Sequence, residues 1–180
     1  MPPISESTQR QTYTANLRIG ASCPNGCSVF EMYQYAPGGE GSYGTQNGTG
    51  PAARFIVKNG RSYFETRYNN ETKVDQYDLG VSASSWHKYT LKANWSHDPK
   101  ISRFDVYVDG NLKKTISGRD VNLGPESSRI PMVKFGLYSY NAIGTADVDN
   151  IHINPTDGGP VPEPVVSVST PTNLRLVSGQ

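Results

Sequence analysis

Three observations predict an all-β sandwich of the jelly-roll type. Short segments alternate between apolar and polar side chains with a period of two, the period of a half-buried strand. Asn59-Gly60 and Asp109-Gly110 each stand between two such segments, and both dipeptides supply the positive φ angles of a tight hairpin. The 180 residues are rich in Gly, Pro, Asn, Ser and Tyr, and no run carries a helical period.

Residues 1–11 are polar and are expected to be frayed or loosely paired. Thr12 to Ile19 is the first clear strand, with Tyr13, Ala15, Leu17 and Ile19 on its core face. Cys23 and Cys27, the only cysteines, frame the turn Pro24-Asn25-Gly26. A disulfide across it is favoured over a pair of metal-ligating thiols, because zinc needs four ligands and there is no second Cys pair. Val29 to Tyr35 follows with Phe30 and Met32 inward and Glu31, Tyr33 and Tyr35 on the other face. Ala36 to Gly50 is a long polar loop, and beside a binding face such a loop could act as a lid.

Ala53 to Lys58 and Ser62 to Tyr68 form a hairpin. In Trp86 to Trp95 the residues Tyr89, Leu91, Ala93 and Trp95 alternate with polar ones, and in Ser102 to Val108 it is Phe104, Val106 and Val108 that point inward. Met132 to Asn141 and Ala146 to Ile153 complete the set. From Asn154 the composition changes. The expected plan is a jelly-roll domain over residues 1–154, a Pro-rich semi-rigid linker over 155–170, and the possible first strand of a fibronectin type III-like repeat over 171–180. The chain is then expected to be a monomeric module of a longer protein.

A formal charge of +1 with acids and bases interspersed argues against nucleic acid as a partner. The apolar runs are far too short for a membrane span, and Pro-Pro-Ile-Ser-Glu after Met1 is not a signal peptide. The disulfide, with glycosylation acceptors at Asn47, Asn70 and Asn94, leads to the expectation of an extracellular, secreted protein.

The segment Met132 to Asn141 carries Lys134, Gly136, Tyr138 and Tyr140 on the face opposite Val133, Phe135 and Leu137. Two tyrosines and a lysine in a row can stack on, hydrogen-bond to and charge-pair with a polar ligand; an exposed amphipathic strand is the alternative. Val133-Lys134-Phe135-Gly136-Leu137-Tyr138-Ser139-Tyr140-Asn141 resembles the YFKAGVYNQ strand of the alginate lyase and heparin lyase I group, which has a concanavalin A-like jelly-roll fold of the lectin and glucanase type. Trp86-His87-Lys88-Tyr89-Thr90-Leu91 with Phe104 to Gly110 is similar to a hairpin found across that superfamily, and Asp149-Asn150-Ile151-His152-Ile153 to its closing strand.

The resemblance places Tyr138 on the family's catalytic tyrosine and Lys134 on a groove-lining lysine. It also sets Glu31 and Tyr33 where the family's QIH strand has Gln and His, and it finds no counterpart to the RSELR strand beyond Ser5-Glu6 and Arg10. The activity implied is β-elimination on a uronate-containing polysaccharide. A cation must neutralise the uronate carboxylate, a base must take the adjacent proton, and an acid must protonate the leaving oxygen. Tyr138 is the candidate acid, or both acid and base if Lys134 lowers its pKa, and Tyr33 is the second catalytic candidate. Lys134, Arg54 and Arg67 are candidate carboxylate binders, with Tyr35, Tyr140 and Glu31 as further substrate contacts. An ionised Glu31 would repel a uronate unless paired, protonated or turned to a neutral hydroxyl.

Other functions compete with this one. A non-catalytic carbohydrate-binding module or lectin-like domain would use Tyr33, Tyr35, Tyr138 and Tyr140 as stacking platforms. A glycoside hydrolase would need a second carboxylate about 5 to 9 Å from Glu31, and a structural or adhesion domain would need no sugar site. No metal site is expected at the histidines, and the reaction requires no cofactor. Asp147 and Asp149 are the pair that could hold a structural calcium.

Overall fold

The computed structural model describes residues 11–35, 53–68, 73–94, 99–118, 130–138, 143–154 and 174–177. The N-terminal segment, the expected lid loop, the linker, Trp95 and Tyr140 lie outside them. The described residues form two antiparallel sheets: β1 (Gln11–Ser22), β2 (Cys27–Tyr35), β3 (Ala53–Lys58), β4 (Arg61–Tyr68), β5 (Lys73–Ser82), β6 (His87–Asn94), β7 (Arg103–Val108), β8 (Asn111–Ser117), β9 (Ile130–Tyr138), β10 (Ile143–Asn154) and β11 (Leu174–Val177). One sheet has the order β11-β10-β1-β6-β7-β8 and the other β5-β4-β3-β2-β9, a jelly-roll sandwich. No helix among the described residues is long and apolar enough to cross a membrane.

The core follows the alternation. Tyr13, Ala15, Leu17 and Ile19 of β1 and Tyr89, Leu91 and Ala93 of β6 are all buried. On the five-stranded sheet Phe135, Phe30, Phe55, Phe64 and Tyr77 stand in one cross-strand row facing the other sheet. Neighbouring rings in it lie 4.4 Å (Phe135–Phe30), 5.5 Å (Phe30–Phe55) and 5.2 Å (Phe55–Phe64) apart, within the range in which aromatic pairs attract. Phe64 reaches Phe104 across the sandwich, and the buried Tyr89 hydroxyl shares a 2.7 Å hydrogen bond with Ser62 Oγ on the opposite sheet.

Both predicted hairpin turns form, with φ of 51° and 72° at Asn59 and Gly60 and 52° and 77° at Asp109 and Gly110. A disulfide joins Cys23 and Cys27, and Cys23 O accepts the backbone N–H groups of Gly26 and Asn59, which ties this turn to the β3–β4 hairpin.

Strands β5 and β8 had not been identified from the sequence. Both are sheet edges, where one neighbour suffices and charge is favoured; on β8 only Ile116 is buried. Lys114 of β8 lies 4.5 Å over the Tyr77 ring of β5, so the two edges meet. Leu174–Val177, the segment expected to open a separate repeat, pairs antiparallel with β10.

Strand β2 also departs from simple alternation. Phe30 pairs with Phe55 and Ser28 with Ile56, so two residues of β2 advance one residue of β3. This bulge puts consecutive residues Val29 and Phe30 both into the core. On the other side Phe30 pairs with Phe135 and Ser28 with Tyr138, a further irregularity that carries Ser28 and Tyr138 to the outer face together.

Candidate functional site

The outer face of the five-stranded sheet is built from the positions between the core residues. Register lines them up in rows across the strands. The central row reads Lys134 (β9), Glu31 (β2), Arg54 (β3), Glu65 (β4) and Gln76 (β5). The next row reads Tyr138, Ser28, Ile56, Tyr63 and Asp78. On the other side of the central row, Tyr33 is in register with Met132 and Arg67 with Val74. Register and the strand period of two thus place Lys134, Glu31, Arg54, Arg67 and Tyr138 on one face. For Tyr33 and Tyr35 only the backbone register is described, Tyr35 standing opposite Ile130.

Charge alternates along the central row. Arg54 binds Glu65 Oε1 through Nη2 at 2.6 Å and Nε at 2.7 Å, and Gln76 Nε2 donates to Glu65 Oε2 at 3.3 Å. Arg67 Nε reaches the same Glu65 Oε1 at 3.5 Å. Glu31 is served differently: its one ionic neighbour among the described residues, Arg54 Nη1, is 4.0 Å away, and it accepts no hydrogen bond among them. Glu31 and Glu65 are only 3% and 4% exposed. Sequence reasoning missed Glu65, Gln76 and Tyr63. The alternation of Ser62 to Tyr68 carried the signal for two of them, since Tyr63 and Glu65 share parity with Arg67.

Tyr138 is 43% exposed, and its hydroxyl donates to Phe135 O at 3.0 Å. The ring folds back over Gly136, whose φ of 148° belongs to the region glycine favours. Lys134 Nζ stands 5.9 Å from the ring centroid. The condition for Tyr138 to act as base as well as acid, a pKa lowered by Lys134, is not met: partial burial, and next the negative charge of Glu31, hold the phenol above its ordinary value of 10.0. Tyr138 therefore carries its proton at neutral pH. In the same row, Ser28 Oγ is buried with no hydrogen-bond partner.

The other candidates fall elsewhere. His87 Nδ1 is 2.6 Å from Asp109 Oδ2, and Asp109 also accepts the Lys88 N–H, so this histidine braces the β7–β8 turn. Burial alone would push the Asp109 carboxyl up, but His87, the Lys88 N–H and the charges of His87 and Lys113 carry it below the usual carboxylate range. Asp147 is engaged by Arg18 at 2.7 Å, and Asp149 accepts from Asn150. Among the described residues no three His, Cys, Asp or Glu gather as a group that could hold a metal ion.

Comparison with known proteins places this geometry in context. A family profile described as polysaccharide lyase matches residues 6–156. The chain is similar to the crystal structure of an endo-β-1,4-glucuronan lyase from the fungus Trichoderma reesei, with a TM-score of 0.59 and 14% identity over 81% of this chain and 68% of that one. It is similar to an alginate lyase from Pseudomonas aeruginosa, with a TM-score of 0.55 and 16% identity over 84% of this chain and 67% of that one. It also resembles the ligand-binding domain of botulinum neurotoxin serotype D, solved with N-acetylneuraminic acid, with a TM-score of 0.53 and 12% identity over 83% of this chain and 34% of that one. The chain thus spans about two thirds of the two lyases and a third of the neurotoxin structure. No curated protein sequence matches it.

Proposed function

The chain belongs to the polysaccharide lyase family, and from that membership we propose that it binds a uronate-containing polysaccharide on the outer face of the five-stranded sheet and cleaves it by β-elimination. The observation that carries this reading is the placement of Tyr138 beside Lys134, with a phenol that stays protonated. In the proposed reaction Lys134 and the Arg54–Arg67 pair offset the uronate carboxylate, which makes the adjacent C–H more acidic. The Tyr33 position supplies the base. Tyr138 gives its proton to the departing glycosidic oxygen, and the new C=C bond takes the electron pair left by the C–H bond. These steps need no cofactor.

The test is ultraviolet absorbance of the conjugated unsaturated uronate on mixing with alginate, glucuronan, heparin and neutral glycans. A rise on a uronate polymer that Tyr138→Phe abolishes, with binding retained, is the expected result. A flat trace across the panel refutes cleavage. One observation favours a second reading, a non-catalytic binding domain: Arg54 is already satisfied by Glu65, and a carboxylate stands at Glu31. Under that reading Tyr→Ala changes weaken binding and nothing is turned over. Secretion, a monomeric state and membership in a longer multidomain chain are parts of the same proposal, supported by the Cys23–Cys27 disulfide and the Pro-rich segment after Asn154.

A further inference from the structure

Glu31 is a buried carboxylate that accepts no hydrogen bond among the described residues. Such a group is costly unless donors reach it, and buried carboxylates are ordinarily hydrogen-bonded or paired. Arg54, its cationic neighbour at 4.0 Å, is held by two contacts to Glu65 and cannot close on both. Donors for the Glu31 carboxylate can come from a molecule that lies on the face.

Order along the row says what those donors belong to. Lys134, Glu31 and Arg54 occupy three successive strands, so the face presents cation, carboxylate, cation. Adjacent strands are about 4.8 Å apart, close to the length of one sugar unit in an extended glycan. A glycan crossing the strands would therefore set consecutive units against Lys134, Glu31 and Arg54. In a homopolyuronate every unit carries a carboxylate, and one of them would lie against Glu31. In a glycan that alternates uronate with a neutral sugar, the neutral unit falls there and its hydroxyls donate to Glu31.

We propose that Glu31 is a specificity-determining residue that selects glycans in which uronates alternate with neutral sugars, its carboxylate accepting hydroxyl hydrogen bonds from the neutral unit. This rests on the outer face being the polysaccharide site. Affinity electrophoresis of the full chain in gels containing hyaluronan, which alternates uronate with a neutral amino sugar, or alginate, a homopolyuronate, tests it. The wild type should be retarded by hyaluronan at concentrations at least about tenfold lower than by alginate, and Glu31→Gln should abolish or reverse that preference. The wild-type preference is read without any variant, and Glu31→Ala gives a second one should Glu31→Gln fold poorly. Equal retardation by the two polymers, preference for alginate, or no retardation by either overturns the proposal. Absorbance of the same mixtures separates the two readings. Equal cleavage of both polymers upholds the lyase and overturns the selectivity, whereas selective retardation without cleavage upholds the selectivity and overturns the lyase.

Discussion

Replacing Arg54 with Met keeps the apolar stem and removes the guanidinium from between two buried carboxylates. Glu31 would lose its ionic neighbour at 4.0 Å, and Glu65 would lose contacts at 2.6 and 2.7 Å while keeping Arg67 at 3.5 Å and Gln76 at 3.3 Å. Removing one partner of a fully buried ion pair costs about 3–5 kcal/mol. Arg54 has 23% of its side chain exposed and Glu65 retains other donors, so the expected loss is smaller, about 2–3 kcal/mol. For a chain of this size that lowers Tm by roughly 4–12 °C, measurable by calorimetry. Adding Glu31→Gln or Glu65→Gln to Arg54→Met should restore part of the loss. The shorter contacts predict a larger coupling of Arg54 to Glu65 than to Glu31 in double-mutant cycles. A loss under about 0.5 kcal/mol, the size of an ordinary surface change, or no rescue by either Gln, would refute the view of this row as a buried ionic chain.

Two further outcomes follow from backbone and core. Gly136→Ala puts a side chain at a φ of 148° against the Tyr138 ring, and should cost about 1–3 kcal/mol in urea unfolding while moving Tyr138; unchanged stability would mean that the strand absorbs the strain. Tyr89 has its pKa raised above 10.0, chiefly by burial, with the Ser62 hydrogen bond opposing and Asp109 adding to the rise. Above pH 10 the unfolded chain releases a proton that the folded one keeps, so stability falls as pH rises past that value. Tyr89→Phe should flatten this alkaline decline and cost about 1 kcal/mol at neutral pH through the lost hydrogen bond. Parallel alkaline curves for the two proteins would refute it.

How far the fold was legible depended on what decides each strand. On β1 and β6 the apolar side chains all fall on the core face, so the period of two named every buried apolar residue that is described. β5 and β8 escaped because an edge strand is specified by its single neighbour, and its exposed side chains need no pattern. Within the site, alternation put Glu31 and Lys134 on the outer face. Arg54 and Arg67 had been assigned to that face without proof, and register supplied it. Glu65 and Gln76 were invisible as partners because their meaning comes from strands far apart in sequence being paired residue against residue. The upward shift of Tyr138 was equally hidden. It follows from burial and from Glu31 on the neighbouring strand, while the sequence displays only the nearby lysine.

The bulge at Val29 has a consequence for anyone aligning or engineering this chain. The β2 strand is written in two reading phases: Glu31 belongs to one and Ser28 to the other, although both face outward. Sequence comparison by hydrophobic rhythm will therefore slip by one residue at this point and will assign Ser28 to the interior. Deleting Val29 would make the rhythm regular and leave Ser28 on the outer face, at the cost of the Val29 side chain in the core. A library that treats β2 as a uniform strand would search the wrong half of its positions for contacts to a bound glycan.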